Sequence, residues 1–174
     1  EFGLKGLDSR LEFDTAVRVD ASDLARFSGL AGQDLGGRVT ADIDASGAPL
    51  DGTYAVELNM LAQDLSANIE QVDSMLTGAS TVKLKAARRA DGIAIDQFAL
   101  SATGFEATAN GTLSSKDGDL RLDARLFELA PLVPGVSGPL TLGGDLSREE
   151  NTLSGTMRLD GPNESYAALD GSAT

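Results

Sequence analysis

The sequence predicts an all-β fold, a meander of antiparallel strands that are each apolar on one side, and three observations predict it. Hydrophobic and polar residues alternate with a period of two through about ten short runs. Turn residues separate consecutive runs by only a few positions, too few for the crossovers that parallel strands need. The apolar positions are filled mainly by Ala, Leu, Val and Gly. With two Tyr, six Phe and no Trp in 174 residues, the chain has little aromatic bulk for a thick core.

The strands read in order. Leu11, Phe13, Val17 and Val19 alternate with Glu12, Asp14 and Arg18. Val39, Ala41, Ile43 and Ala45 alternate with Arg38, Thr40, Asp42 and Asp44, and Tyr54, Val56, Leu58 and Met60 with Thr53, Glu57 and Asn59. Shorter runs follow at Val82 with Leu84, Ile93 with Ile95, and Phe98 with Leu100. The pattern resumes at Phe105 to Leu113, Leu120 to Leu126, Leu140 to Leu146 and Leu153 to Leu159. Asp51-Gly52, Asp91-Gly92, Asp117-Gly118 and Gly161-Pro162 read as the turns, because Gly and Asp tolerate the positive φ of tight reversals.

Three segments interrupt the alternation. Ser22 to Leu30 sets Leu24, Phe27 and Leu30 at helical spacing with Ser22 as N-cap. Asn68 to Leu76 sets Ile69, Val72 and Leu76 on one face, with Asn68 and Gln71 spaced as a capping box and Gly78 as the stop. Glu128 to Val136 is expected to be irregular, since Pro131 and Pro134 forbid a regular helix. These pieces are expected to act as two or three short helical caps on the sheet.

A weak internal repeat relates about 11–65 to 116–160. Asp23-Leu24-Ala25-Arg26-Phe27 matches Glu128-Leu129-Ala130-Pro131-Leu132 at a separation of about 105 positions. Each copy leads to a glycine before a strand, Gly37 and Gly138, and then to a similar step, Leu50-Asp51-Gly52-Thr53 and Leu153-Ser154-Gly155-Thr156. The chain 1–174 is therefore expected to be a single segment of a longer repetitive β-protein. Glu1-Phe2 has the form of a cloning scar, and a strand-like pattern is still running at Tyr166 to Thr174.

Composition excludes several functions. With 27 acidic residues against 14 basic ones, the net charge of −13 repels phosphate backbones, so nucleic acid is not an expected partner. The same charge opposes flat adhesion to anionic headgroups while keeping exposed apolar surface soluble. The chain has no Cys and no His, which removes disulfides, thiolate and imidazole metal sites, and Ser-His-Asp or Cys-His catalysis. No GxSxG elbow or phosphate-binding loop occurs, so no catalytic residue, metal or cofactor is expected. Asp42 with Asp44 reads as a solvated outer face, and Asp117 with Asp119 lacks the remaining ligands of a calcium loop. Lys83, Lys85, Arg88 and Arg89 form the one notable basic cluster; it reads as a solvated strand edge, with a lipid phosphate at the rim as the sharper alternative.

A ten-strand sheet with one apolar face cannot leave that face bare without cost. It closes into a barrel, pairs with a second sheet as a sandwich, or curls into a gutter. Small inward residues, Ala107, Ala109, Gly111, Ala124, Gly144 and Gly155, either let two sheets approach or leave room for a ligand, so core and groove both stay open on the residues alone.

The run Asp23-Leu24-Ala25-Arg26-Phe27-Ser28-Gly29-Leu30-Ala31-Gly32, followed by Leu35-Gly36-Gly37-Arg38-Val39-Thr40, resembles the TamB family. So do Phe98 to Gly104 continued by Ala107 to Leu113, and the short apolar stretch Ile69 to Gly78 before a new strand. The likeness runs from about Leu11 to Leu159, and the Ala-rich acidic style is similar to alphaproteobacterial members. The resemblance implies a curved antiparallel sheet forming a U-shaped, taco-like trough with an apolar interior, in a periplasmic protein tethered to the inner membrane by an N-terminal anchor that this sequence does not include. It implies kinship with AsmA-like and bridge-like lipid-transfer proteins, and a role in carrying phospholipid acyl chains between the inner and outer membranes. It also implies an alternative role, scaffolding of outer-membrane protein and autotransporter assembly with the outer-membrane barrel TamA by β-strand edge pairing. A structural β-sandwich stands as a third reading, and open edges make an edge-to-edge dimer a hazard. The groove expected on this reading is lined by Phe13, Val17, Ile43, Val56, Leu58, Val82, Leu84, Ile95, Phe98, Leu100, Phe105, Leu122, Leu142, Met157 and Leu159.

Overall fold

Alternation of this kind builds strands that need neighbours on both edges, and here consecutive strands supply them. The computed structural model describes residues 2–5, 11–114, 116–133, 135–149, 152–162 and 166–173, with backbone only for 2–5, 153 and 166–173. The strands are β1 (Phe2–Lys5), β2 (Glu12–Ala21), β3 (Gly36–Ala48), β4 (Thr53–Ser66), β5 (Ala79–Arg89), β6 (Gly92–Ser101), β7 (Phe105–Ser114), β8 (Asp117–Leu126), β9 (Leu140–Glu149), β10 (Thr152–Asp160) and β11 (Tyr166–Ala173). They form one sheet in chain order, and every neighbouring pair is antiparallel. The sheet is curved and open, and among the described residues no ladder joins β1 to β11 and no second sheet packs on the first. The expected curved antiparallel sheet with short helical caps is what forms; a barrel or a sandwich is not.

Two runs that the sequence separates, Ile93 with Ile95 and Phe98 with Leu100, belong to the single strand β6. A β-bulge between Ile95 and Phe98 shifts the phase by one residue and keeps all four on the same face. The turns also differ in detail. Pro49–Asp51 forms a 3₁₀ turn closed by Gly52 at φ 67°, as Asp51-Gly52 predicts. Asp91-Gly92 straddles the end of a two-residue loop between Arg89 and Gly92. Asp117-Gly118, however, lies inside β8, and the reversal is made earlier, where the Ser114 hydroxyl accepts the N–H groups of Lys116 and Asp117.

The two ends of the sheet are unlike. Tight hairpins (β3–β4, β5–β6, β7–β8, β9–β10) sit at one end, and the longer caps sit at the other. The first cap is a 3₁₀ turn, Leu24–Phe27, running into a single helical turn α1 (Ser28–Ala31). Asp23, not Ser22, caps it, its carboxylate accepting the N–H of Ala25 at 3.0 Å. No continuous amphipathic helix forms there, and Leu30 is 90 % exposed. The second cap carries α2 (Glu70–Leu76). Its expected Asn68/Gln71 capping box does not form: Asn68 takes a left-handed φ of 57°, and Asp73 Oδ1 accepts the N–H of Ala67 at 2.7 Å instead. Gly78, at φ 89°, supplies the stop. The segment after β8 is irregular, as Pro131 requires; Pro134 lies outside the described residues.

Consecutive caps are hydrogen-bonded to one another along that end. The Gln33 side chain donates to the carbonyl of Ala67, 34 positions away, at 2.7 Å. The Gly104 N–H donates to Met75 O and the Thr103 hydroxyl to Thr77 O, while the Phe127 N–H donates to Gly104 O at 2.9 Å. What core exists lies beside this rail. Among the described residues Ala41, Ala62, Ser80 and Ala102 are buried near the capped end and Leu129 in a cap, while Ala94 and Gly118 are buried toward the other end.

The corresponding segments of the weak repeat share local chemistry. Glu128 accepts the N–H of Ala130 just as Asp23 accepts that of Ala25, and Gly37 and Gly138 take positive φ of 98° and 106°. The match ends before the final step, because Leu50 to Thr53 make a turn while Leu153 to Thr156 run along β10.

Candidate functional site

Register converts the alternation into rows that cross the sheet. One row runs Val17, Ile43, Leu58, Leu84, Phe98, Ala109, Leu122, Gly144 and Met157, from β2 to β10. The next runs Val19, Ala41, Met60, Val82, Leu100, Ala107, Ala124, Leu142 and Leu159. On the other side of the first lies Thr15, Ala45, Val56, Ala86, Ile95, Gly111, Leu120, Leu146 and Gly155. At about 4.8 Å per strand, each row makes an apolar lane roughly 38 Å long.

All fifteen residues of the expected groove fall on this one face: Phe13, Val17, Ile43, Val56, Leu58, Val82, Leu84, Ile95, Phe98, Leu100, Phe105, Leu122, Leu142, Met157 and Leu159. The face is not sealed. Val17 is 47 % exposed, Met157 46 % and Leu122 37 %, and no large side chain among the described residues is fully buried. Glycines let neighbouring side chains spread over them. Gly47 sits between Phe13 and Tyr54, whose rings pack 6.4 Å apart, and Leu146 reaches over Gly155.

The opposite face is ionic. Arg18 pairs with Asp42 at 3.7 Å, Lys85 with Glu57 at 3.6 Å, Arg121 with Asp123 at 3.1 Å and Arg158 with Asp160 at 3.1 Å. These exposed pairs contribute little stability each, and their job is solubility. A concavity of about 720 Å³ opens on this ionic side over β7 to β10. Gly143 lines it with Arg121, Asp123, Asp145, Arg158 and Asp160, and within that set Arg121 pairs with Asp123 and Arg158 with Asp160.

The basic cluster divides between the two faces. Lys83 and Lys85 share the ionic face with Arg89, whereas Arg88 pairs with Tyr54 and Ile93 in the apolar rows. Arg148, opposite Gly118, lies in the same rows. Both escape notice when the cations are read as a patch; the parity of Arg88 with Val82 and Leu84 is the signal that finds it. Among the described residues no group of three or more acidic side chains could hold a metal ion, and no helix is long and apolar enough to cross a membrane. No protein-family model, curated protein or solved structure matches the chain.

Proposed function

We propose that this chain is a segment of a TamB-like envelope protein whose apolar sheet face carries phospholipid acyl chains through the periplasm, between the inner and outer membranes. The observation that carries the reading is the set of apolar rows crossing nine strands, many of their side chains half-exposed, with no second sheet packed on them among the described residues. At about 0.8 kcal/mol per buried methylene, a dozen methylenes laid along such a row gain roughly 10 kcal/mol before ordering costs. No polar contact within the central rows fixes a chain in place, so binding there permits movement along the lane. The test is Leu58→Asp or Leu100→Asp, each placing a carboxylate in mid-row. Lipid co-purifying with the protein, read by native mass spectrometry and organic extraction, is expected to disappear while far-ultraviolet circular dichroism is unchanged; lipid retained on a folded variant contradicts the reading.

A second reading, assembly of outer-membrane proteins with a TamA-like barrel, is favoured by one observation. The strand order ends in β1 and β11, each paired on one side only among the described residues, and an unpaired strand edge is a template for a client strand.

A further inference from the structure

Among the positions paired in the apolar rows of β2 to β10, two are charged, Arg88 and Arg148, and both are cations. In a chain with 27 acidic and 14 basic residues, a face without a single carboxylate in register but with two guanidinium groups is set apart from the rest of the surface. Both stand at the hairpin end, in the outermost row, Phe13, Gly47, Tyr54, Arg88, Ile93, Leu113, Gly118 and Arg148. Among the described residues the one helical segment at that end is the Pro49–Asp51 turn; Ala94 and Gly118 are buried there, but Tyr54 is 38 % exposed, Ile93 46 % and Leu113 37 %.

Resting on the acyl-chain reading above, we propose that Arg88 and Arg148 hold the phosphate groups of phospholipids whose chains lie on the rows behind them. A guanidinium offers a planar pair of N–H donors that fits phosphate oxygens bidentately. Tyr54, Arg88's neighbour in register, brings a phenolic hydroxyl to the same rim. The ionic face presents carboxylates among its cations, whereas the only charges paired in the apolar rows of β2 to β10 are these two guanidinium groups. Four strand spacings separate β5 from β9, about 19 Å along the sheet. The two arginines are therefore separate stations, each with a face several strands wide behind it, which suits a lipid with two chains side by side.

The test titrates the full chain with dioleoyl phosphatidylglycerol and with dioleoylglycerol, the same chains without the phosphate, by native mass spectrometry. The wild-type protein is expected to bind the phospholipid at least about tenfold more tightly. The Arg88→Gln/Arg148→Gln variant is expected to lose that preference while binding dioleoylglycerol unchanged. Lys83→Gln/Lys85→Gln makes the same change in net charge on the ionic face and is expected to keep the preference. Preference surviving in the arginine variant overturns the proposal, as does its equal loss in the lysine variant. Oleate competing as well as the phospholipid at the arginine-dependent sites overturns the commitment to a two-chain lipid. Binding of neither lipid by the wild-type protein overturns the acyl-chain reading and this inference with it; tight binding of both without regard to the arginines overturns this inference alone.

Discussion

Glu128 shows how much a single exposed side chain organises at the capped end. Its carboxylate accepts the N–H of Gly138 at 2.7 Å and of Ala130 at 3.2 Å, tying the start of an irregular segment to its end. Those bonds, the one from Gly138 foremost, hold its pKa below the ordinary 4.5. A carboxyl group whose pKa falls on folding lends stability that is present above 4.5 and is lost as pH drops through the folded value. Amide protection at Gly138 is therefore expected to decline on acidification below about 4.5, and Glu128→Gln, which keeps an acceptor without titrating, is expected to remove that decline. Hydrogen exchange at two pH values, corrected for intrinsic rates, checks this; identical pH dependence in the two proteins contradicts it. The cap is half legible in the sequence. The two prolines announce an irregular segment, but no local pattern reveals that Glu128 reaches ten positions ahead to Gly138. Asp73 is similar: a capping box at Asn68 and Gln71 looks better on paper, yet the left-handed backbone at Asn68 hands the free N–H of Ala67 to Asp73.

At the scale of elements, faces are legible and connections are not. Period two alone decides which side of the sheet a residue occupies, so Leu58, Leu84 and Leu122 are placed by parity without knowledge of their neighbours. The phase slip at Asp96 and Gln97 makes one strand look like two, because a bulge changes parity without ending the ladder. The cap-to-cap hydrogen bonds span too many positions for any sequence pattern to carry them. Gly104 is the tightest joint in that rail: a Cβ added there would lie 2.5 Å from Met75 Cβ and 2.8 Å from its Cα. Gly104→Ala is expected to push the second cap away from the β6–β7 connection and lower stability by about 2 kcal/mol, measured by urea denaturation. A change under about 0.5 kcal/mol shows that the caps ride on the sheet without bracing it. The sheet edge yields a separate prediction. Single prolines at Ala167 and Ala168 in β11 place one missing N–H toward the open edge, whichever residue faces outward. If edge pairing recruits clients, the outward variant is expected to lose client-strand binding and keep lipid binding; loss of neither in both variants removes the edge from the mechanism.

For the molecule as a whole, the arrangement divides two requirements between two faces. Twenty-seven acidic residues keep a protein with broad apolar exposure in solution, and in register they stay off the apolar rows. Small side chains and glycines keep those rows low, and among the described residues the longer caps sit at one end of the sheet and the tight hairpins at the other. The choice between gutter and sandwich is not legible in strand patterns, because both need the same alternation. It is decided by strand order: eleven strands pair in chain sequence in one sheet, and among the described residues no second sheet covers it. The most direct test uses a phospholipid carrying a photoreactive diazirine in one acyl chain. After irradiation, peptide mapping is expected to find adducts at Ile43, Leu58, Leu84, Phe98 and Leu122, and few at Asp42, Glu57, Lys83 or Asp123 on the other face. Adducts spread equally over both faces, or none on a folded protein, would contradict an apolar face that carries lipid.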